Sequence, residues 1–172
     1  MPTETEGEWS LVLVASRRIP PSQASADAPA PAQAAAWIPT AALQSARTLP
    51  HRIVVSVSAQ KLMITDAAGK TQQTFTIAVG TPDTPTPNGT TGYLQARYLD
   101  PAQGQSVHPI QLSSLHATGS DEPYGGSDGG LIGIHYQDVS TGAVSHGCIR
   151  LGEAAIDAVD KLALGTPITL LS

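Results

Sequence analysis

A chain of 172 residues has the size of one ordinary domain with room for a short appendage. Hydrophobic residues make up 41% of it, which is enough for a core, while charged residues, at 13%, are too few for a coiled coil. Fourteen acidic against nine basic residues give a net charge of −5, so there is no basic footprint for nucleic acid. No apolar run approaches the roughly eighteen residues of a membrane span. A single cysteine excludes a disulfide scaffold.

The N-terminal part of the chain predicts two strand fragments separated by a flexible insert. Residues Glu8–Ser16 have the apolar character of a strand, and a second short apolar piece begins at Trp37. Between them, Pro20–Ala36 is a Pro/Ala/Ser stretch without periodicity, which cannot bury enough apolar surface to offset its ordering entropy. We therefore treat residues 1–50 as a lead-in and residues 51–172 as the main domain.

From His51 onward, alternating apolar and polar residues predict a series of β-strands separated by turns rich in Gly, Pro and Asn. The predicted strands are 53–57, Leu62–Thr65, 75–79, Tyr93–Tyr98, Leu131–Tyr136 and Ile168–Leu171. The segment Asp100–Gly130 is polar and glycine-rich without a strong pattern, so it is predicted to be a long loop, either functional or disordered.

One amphipathic helix is predicted between Glu153 and Leu164, and Gly165 and Pro167 end it. Its apolar face consists of Ile156, Val159, Leu162 and Ala163. A mainly β domain with one helix is not a βαβ repeat, so the predicted fold class is a β-sandwich or a barrel-like fold.

The chemistry-bearing residues of the main domain lie around its only cysteine, Cys148. A lone cysteine is usually a small buried hydrophobe. A thiol at its free pKa is only a few per cent thiolate at pH 7, and a nearby imidazole that takes the proton converts it to a strong nucleophile. Two histidines are candidates for that base: His135, thirteen positions upstream at the end of an apolar strand, and His146, two positions upstream.

The residues beside Cys148 supply the other parts of an acyl-transfer site. Gly147 permits a tight bend, and the successive N–H groups of Gly147 and Cys148 would then point at one spot and hold a developing oxyanion. Arg150 adds a fixed positive charge suited to a carboxylate. Each residue alone has a structural explanation, as a core or turn histidine or as a surface charge. Together with the only cysteine, they favour a cysteine nucleophile.

These residues resemble the signature of a known family. Ser145-His146-Gly147-Cys148-Ile149-Arg150, preceded by Ile132-Gly133-Ile134-His135, looks like the motif of the L,D-transpeptidase catalytic (YkuD) domain. The loop 80–89, with its Thr-Pro and Asn-Gly pairs, resembles another segment of that family. The resemblance covers about residues 51–172, and the lead-in looks more faintly like that of actinobacterial members.

The resemblance implies a YkuD-like β-sandwich or barrel-like catalytic domain and a bacterial cell-wall enzyme. Such an enzyme cuts the bond between the third residue and D-Ala in a peptidoglycan tetrapeptide stem and passes the acyl group to another stem, giving a 3→3 cross-link. In that scheme Cys148 is the nucleophile and His135 the general base and acid, oriented by the backbone carbonyl of Tyr136. His146 and Gly147 belong to the oxyanion hole and its support.

The resemblance further implies that Ser145 and Arg150 shape the site or bind substrate. It implies no cofactor and no catalytic metal, peptidoglycan stem peptides as partners, and carbapenem-type beta-lactams as inhibitors. The substrate lies outside the cytoplasmic membrane, so we expect an exported protein of the cell envelope, whose signal or anchor this chain does not show.

Three other hypotheses remain open at this point. The acyl group goes to water in an L,D-carboxypeptidase, and nothing in the sequence separates that reaction from transpeptidation. A wall-binding module without catalytic activity would retain the family's fold but not its reaction. A metal site built from His116, His135, His146 and Cys148 uses suitable ligand types, although their spacing fits no short zinc pattern.

Overall fold

The computed structural model describes residues 1–44, 47–119 and 130–172. Within these ranges the chain is mainly β. A small sheet contains β1 (Pro2–Glu6), β2 (Trp9–Val14) and β3 (Ala34–Pro39). A large sheet contains β4 (His51–Ser56), β5 (Lys61–Asp66), β6 (Thr71–Gly80), β7 (Thr90–Asp100), β8 (Gln105–His116), β9 (Leu131–Tyr136), β10 (Gly142–Ser145), β11 (Ile149–Leu151) and β12 (Pro167–Leu171). Helix α1 is Glu153–Asp160.

The large sheet closes on itself. Its strand order is β10-β6-β11-β9-β8-β7-β12-β4-β5, and β5 also pairs with β6. The first part of the long strand β6 pairs with β5, while its last residues pair with β10 and β11. Closure pairs β5, which would otherwise be an edge strand, with β6, and β10 is left paired on one side only. The predicted mainly β, barrel-like fold class is confirmed.

One cluster of buried aliphatic side chains fills the interior and includes residues from the strands and from α1. Ile156 and Val159 of the helix are fully buried in it, as the predicted apolar face requires. The helix ends at Asp160, before the predicted end at Leu164, and Ala163 is exposed. The chain tightens there into turns, in which Leu162 N–H donates to the carbonyl of Val159.

An arginine holds the end of α1 against the sheet. Arg97 of β7 forms an ion pair with Asp160 at 3.0 Å, and its Nη2 donates to the carbonyl of Leu162 at 2.8 Å. Gln111 of β8 completes the group, because its amide accepts from Arg97 and donates to Asp160. The cationic guanidinium thus neutralises carbonyl groups at the negative end of the helix.

The N-terminal lead-in forms a three-stranded antiparallel sheet in the order β1-β2-β3. Strand β1 was not predicted, and β3 begins at Ala34, so the last residues of the predicted insert are in a strand. This sheet is tied to the large one. The His116 N–H donates to the carbonyl of Ala32 at 2.7 Å, and the Ser114 hydroxyl donates to Gln33 Oε1 at 2.6 Å. The flexibility of Pro20–Ala36 stays a prediction.

The prediction of a continuous loop over Asp100–Gly130 is wrong, because residues Gln105–His116 of this segment form the twelve-residue strand β8. Gln111, Ser113 and Ser114 of this strand, which broke the alternation, are buried and hydrogen-bonded through their side chains. For example, the Ser113 hydroxyl donates to the carbonyl of Ile132 at 2.6 Å. Of the four glycines near the end of this segment, Gly125, Gly126 and Gly129 lie outside the described residues, and Gly130 is exposed.

No helix in the described parts of the chain is both long and apolar enough to cross a bilayer.

Candidate active site

Two neighbouring parallel strands bring Cys148 and His135 to the same cavity. In the pairing of β9 with β11, Ile134 lies opposite Ile149 and His135 opposite Arg150. Cys148 immediately precedes β11. Both Cys148 and His135 line a cavity of about 750 Å³, which we call the Cys148 cavity. The gap of thirteen residues in sequence is thus closed by strand pairing.

The His135 imidazole is half-buried and oriented by its neighbour. Its Nδ1 lies 2.9 Å from the backbone carbonyl of Tyr136. Because a carbonyl only accepts, Nδ1 carries the proton in the neutral ring, and Nε2 is left with a lone pair. Burial lowers the pKa of His135; the hydrogen bond to Tyr136 raises it, and the positive charge of Arg150 lowers it further. The net shift is downward, which favours the neutral imidazole, the form that can accept a proton.

The Cys148 sulfur is half-buried and accepts a hydrogen bond from a backbone amide. The N–H of Gly133 in β9 donates to Sγ at 3.4 Å. The Gly133 backbone runs directly beside the sulfur, since a Cβ there would be in van der Waals contact with Sγ at 3.6 Å. An amide N–H directed at sulfur stabilises the thiolate relative to the thiol.

The turn before Cys148 is held in one conformation. Gly147 has φ = +103°, which L side chains rarely adopt, and a Cβ there would lie 3.3 Å from Ile132 Cδ1. The buried Ser145 hydroxyl donates to the carbonyl of Cys148 at 2.5 Å. Ser145 lies in the cavity wall, but this bond commits its hydroxyl to the turn itself.

The loop after β6 fastens that turn to the sheet. The buried Thr86 hydroxyl accepts from Gly80 N–H at 2.8 Å and donates to the carbonyl of Gly147 at 2.8 Å. The carbonyl of Ser145 accepts from the N–H of Thr81 and from the hydroxyl of Thr84. The Thr-Pro segment noted in the sequence therefore contacts the cysteine turn directly, a role that its spacing of 62 positions from Cys148 did not indicate.

Of the remaining predicted residues, His146 and Arg150 line the Cys148 cavity, whereas Tyr136 lines a smaller neighbouring depression. His146 is exposed in its wall, and Arg150 is half-buried there, with a buried Nε that has no hydrogen-bond partner within the described structure. Tyr136 donates its hydroxyl to Asp138 at 2.6 Å, which raises the pKa of the phenol. Its contribution to the site is its backbone carbonyl.

Several residues of the cavity wall, among them Tyr98 and Gln105, escaped the sequence analysis. Tyr98 of β7 lines the cavity, and burial followed by the charges of Asp100 and Cys148 raises the pKa of its phenol. Gln105, the first residue of β8, is buried in the same wall. Both fall in or beside the segment predicted to be a loop, where no sequence pattern marked them.

The residues considered for a metal site do not all come together. His116 does not line the Cys148 cavity; burial and the charge of Arg17 lower its pKa. Across the described ranges, no group of three or more His, Cys, Asp or Glu side chains is placed to hold an ion.

Comparison with known proteins agrees with this architecture. The family model of the L,D-transpeptidase catalytic domain, YkuD, matches residues 50–170. No curated protein matches the chain. Among solved structures, an L,D-transpeptidase from Stackebrandtia nassauensis has a TM-score of 0.51 at 14% identity, with 77% of this chain and 60% of that chain covered.

Two further solved structures contain beta-lactams according to their descriptions. L,D-transpeptidase 3 from Mycobacterium tuberculosis, with a faropenem-derived adduct, has a TM-score of 0.50 at 18% identity, covering 72% of this chain and 61% of that chain. An L,D-transpeptidase in complex with imipenem has a TM-score of 0.51 at 17% identity, covering 82% and 68%. At these identities the likeness is one of fold.

The closed sheet brings Cys148, which precedes β11, and His135 of the adjoining strand β9 into one cavity. The chain belongs to the family of L,D-transpeptidase catalytic domains, since the family model covers most of its length. It spans about three fifths of the length of the enzymes from Mycobacterium smegmatis, M. tuberculosis and S. nassauensis that it matches.

Proposed function

We propose that this chain is a peptidoglycan L,D-transpeptidase that forms 3→3 cross-links through a thioester on Cys148. The observation that carries the proposal is the placement of His135 and Cys148 in one cavity, with Nδ1 of the histidine occupied by the Tyr136 carbonyl. That arrangement leaves Nε2 to take the thiol proton. Family membership supports the substrate class.

In the first half-reaction, His135 Nε2 takes the proton of Cys148, and the thiolate attacks the carbonyl carbon of the third stem residue. The bond to D-Ala breaks, the proton passes from His135 to the departing amine, and a thioester remains on Cys148. The amide of Gly133 stabilises the attacking thiolate. The N–H groups of Gly147 and Cys148, with His146 beside them, receive the developing oxyanion.

In the second half-reaction, an amine of another stem attacks the thioester. His135 takes a proton from that amine and returns it to the departing Cys148 sulfur, which restores the resting enzyme. The acyl group has then moved from D-Ala to the acceptor with no net gain or loss of protons on the enzyme. Water in place of the amine gives the L,D-carboxypeptidase, with the same residues in the same roles.

Arg150 binds a substrate carboxylate in this proposal. Its guanidinium lies in the cavity wall with a buried Nε that lacks a partner among the described residues. A carboxylate is the natural partner for such a planar cationic group, and the stem ends in one at D-Ala. Ser145 shapes the site by holding the turn through its bond to Cys148 rather than by reaching the substrate.

The proposed substrate and the proposed thiolate mechanism imply a cellular location and a class of inhibitors. Peptidoglycan lies outside the cytoplasmic membrane, so we infer an extracytoplasmic location in the cell envelope. A strained lactam carbonyl is attacked by a thiolate as a peptide carbonyl is, and two structures of similar fold are described with a faropenem-derived adduct and with imipenem. Carbapenem-type beta-lactams are therefore expected to acylate Cys148.

The test is product analysis with a disaccharide-tetrapeptide by mass spectrometry. Wild type is expected to release D-Ala and form a stem dimer, and Cys148→Ala to form neither. His135→Ala is expected to lose far more activity than His146→Ala, which separates the two histidines that the sequence left as candidates. Release of D-Ala with tripeptide as the only other product would replace the transpeptidase with the carboxypeptidase. A folded protein with no turnover and no adduct would be an idle module.

A further inference from the structure

Gln105 is a buried polar residue whose position the mechanism above does not use. Its side chain is 5% exposed and lies between the Cys148 cavity and a smaller depression bordered by His108 and Tyr136. Its Oε1 is buried without a hydrogen-bond partner within the described ranges. An orphaned buried acceptor is costly, and an apolar side chain of the same length would avoid that cost. Such a local violation is typical of functional sites.

The other end of the Gln105 amide contacts the group that orients the histidine. Nε2 donates to the carbonyl of Tyr136 at 3.0 Å, and the same oxygen receives His135 Nδ1 at 2.9 Å. The reversed amide would place Oε1 against the carbonyl, acceptor against acceptor, so the donor orientation is required. One carbonyl oxygen therefore uses both lone pairs, one for each side chain.

Gln105 is itself fixed from its own strand. It lies opposite Asp100 in the β7–β8 pairing, after a tight turn. Within that turn, Asp100 accepts from the N–H of Ala102 at 3.1 Å and from the side chain of Gln103 at 2.7 Å. Gly104, in the left-handed region with φ = +74°, leads into the strand. The Gln105 side-chain amide thus approaches the Tyr136 carbonyl from β8, whose first residues are held by contacts that do not involve His135.

We propose that Gln105 is a positioning residue for His135: by holding the Tyr136 carbonyl, it keeps the imidazole in the Nδ1–H tautomer with Nε2 directed to the Cys148 cavity. This inference rests on the proposed function. It adds a residue from β8, outside the cysteine signature and the strand that carries the histidine. Without the amide, the carbonyl is free to tilt, and the imidazole samples the other tautomer.

The test compares Gln105→Met with wild type in two measurements. Met matches the length of Gln but cannot donate, so it removes the contact with little change in volume. The nitrogen NMR shifts of the His135 ring, assigned with His135→Ala, report the tautomer directly. The rate of iodoacetamide alkylation reports the reactivity of Cys148, which is the only thiol in the chain. Neither measurement requires peptidoglycan turnover.

We expect wild-type His135 to be in the Nδ1–H form, and Gln105→Met to show mixed tautomers with alkylation roughly tenfold slower. Gln72→Met is the matched control, because that exposed amide bonds to Asp66, does not line the Cys148 cavity and should leave the tautomer unchanged. Gln105→Asn, too short to reach the carbonyl, repeats the test if the Met variant does not fold.

An unchanged tautomer in a folded Gln105 variant would overturn the proposal, even if alkylation slowed. A mixed tautomer with unchanged alkylation would overturn it as well, because the orientation would then not matter to the thiol. Failure of the proposed function appears separately, as absence of D-Ala release by wild type.

Discussion

The two hydrogen bonds of Thr86 give the sharpest structural prediction, because they join the loop after β6 to the cysteine turn. In Thr86→Val the shape is kept and the hydroxyl is lost, which leaves the N–H of Gly80 and the carbonyl of Gly147 without this partner in a buried place. Each such group costs about 1–3 kcal/mol, so we expect a loss of about 2–6 kcal/mol in the free energy of unfolding.

Urea denaturation followed by circular dichroism measures this loss. With a slope of about 2 kcal/mol per molar urea, the midpoint should fall by about 1–3 M. Thr86→Ser keeps the hydroxyl and loses one methyl group, about 1 kcal/mol, so its midpoint should fall by less than half as much. Alkylation of Cys148 should also slow in the valine variant, since its turn is no longer fixed. Equal midpoints for the valine and serine variants would refute the reasoning.

Three further predictions follow from contacts and charges elsewhere. Gly147→Ala must place a side chain at φ = +103°, so it should fold less stably by about 1–3 kcal/mol and lose most thiol reactivity; unaltered alkylation kinetics would contradict this. Arg97→Met should lower the free energy of unfolding by about 1–3 kcal/mol in urea titrations, because Asp160 loses its charged partner and the Leu162 carbonyl loses its donor. An unchanged free energy of unfolding would show that Arg97 does not stabilise the end of α1. The pKa values of His135 and His116 lie below their unfolded values near 6.5, so these residues contribute stability above about pH 6.5 that is lost as pH falls through their folded pKa values. The thermal midpoint should therefore drop on acidification, and it should drop less in His116→Gln. A thermal midpoint that does not change with pH would argue against both pKa shifts.

The sequence predicted the strands in which apolar and polar side chains alternate. Strands such as β4 and β9 have apolar residues that face one core, so their pattern follows directly from burial. Strand β8 was missed because its buried positions include Gln111, Ser113 and Ser114, which satisfy their polar groups through partners distant in sequence. Such pairings cannot be read from local periodicity.

Strand β1 was missed for the opposite reason. Its residues Pro2–Glu6 are all exposed, so no apolar face marks it, and only pairing with β2 makes it a strand. Tertiary context of this kind overrides local propensity.

The sequence identified the site residues that carry reactive side chains, but not those that act only through their position in the fold. Cys148 and His135 carry rare functional groups, and the signature around them is short, so both could be named from the sequence. Gln105 and Thr86 contribute through one amide and one hydroxyl, and only the closed sheet brings them to the carbonyls of Tyr136 and Gly147. A residue that acts through a backbone carbonyl leaves no pattern in a single sequence.

The most direct test of the central claim is intact-protein mass spectrometry during reaction with the disaccharide-tetrapeptide. The account predicts an adduct whose mass is that of the donor stem without D-Ala, located on Cys148 by peptide mapping, absent in Cys148→Ala and formed far more slowly in His135→Ala. Substrate consumed with no adduct on wild type at any quench time, or the same adduct on Cys148→Ala, would contradict it.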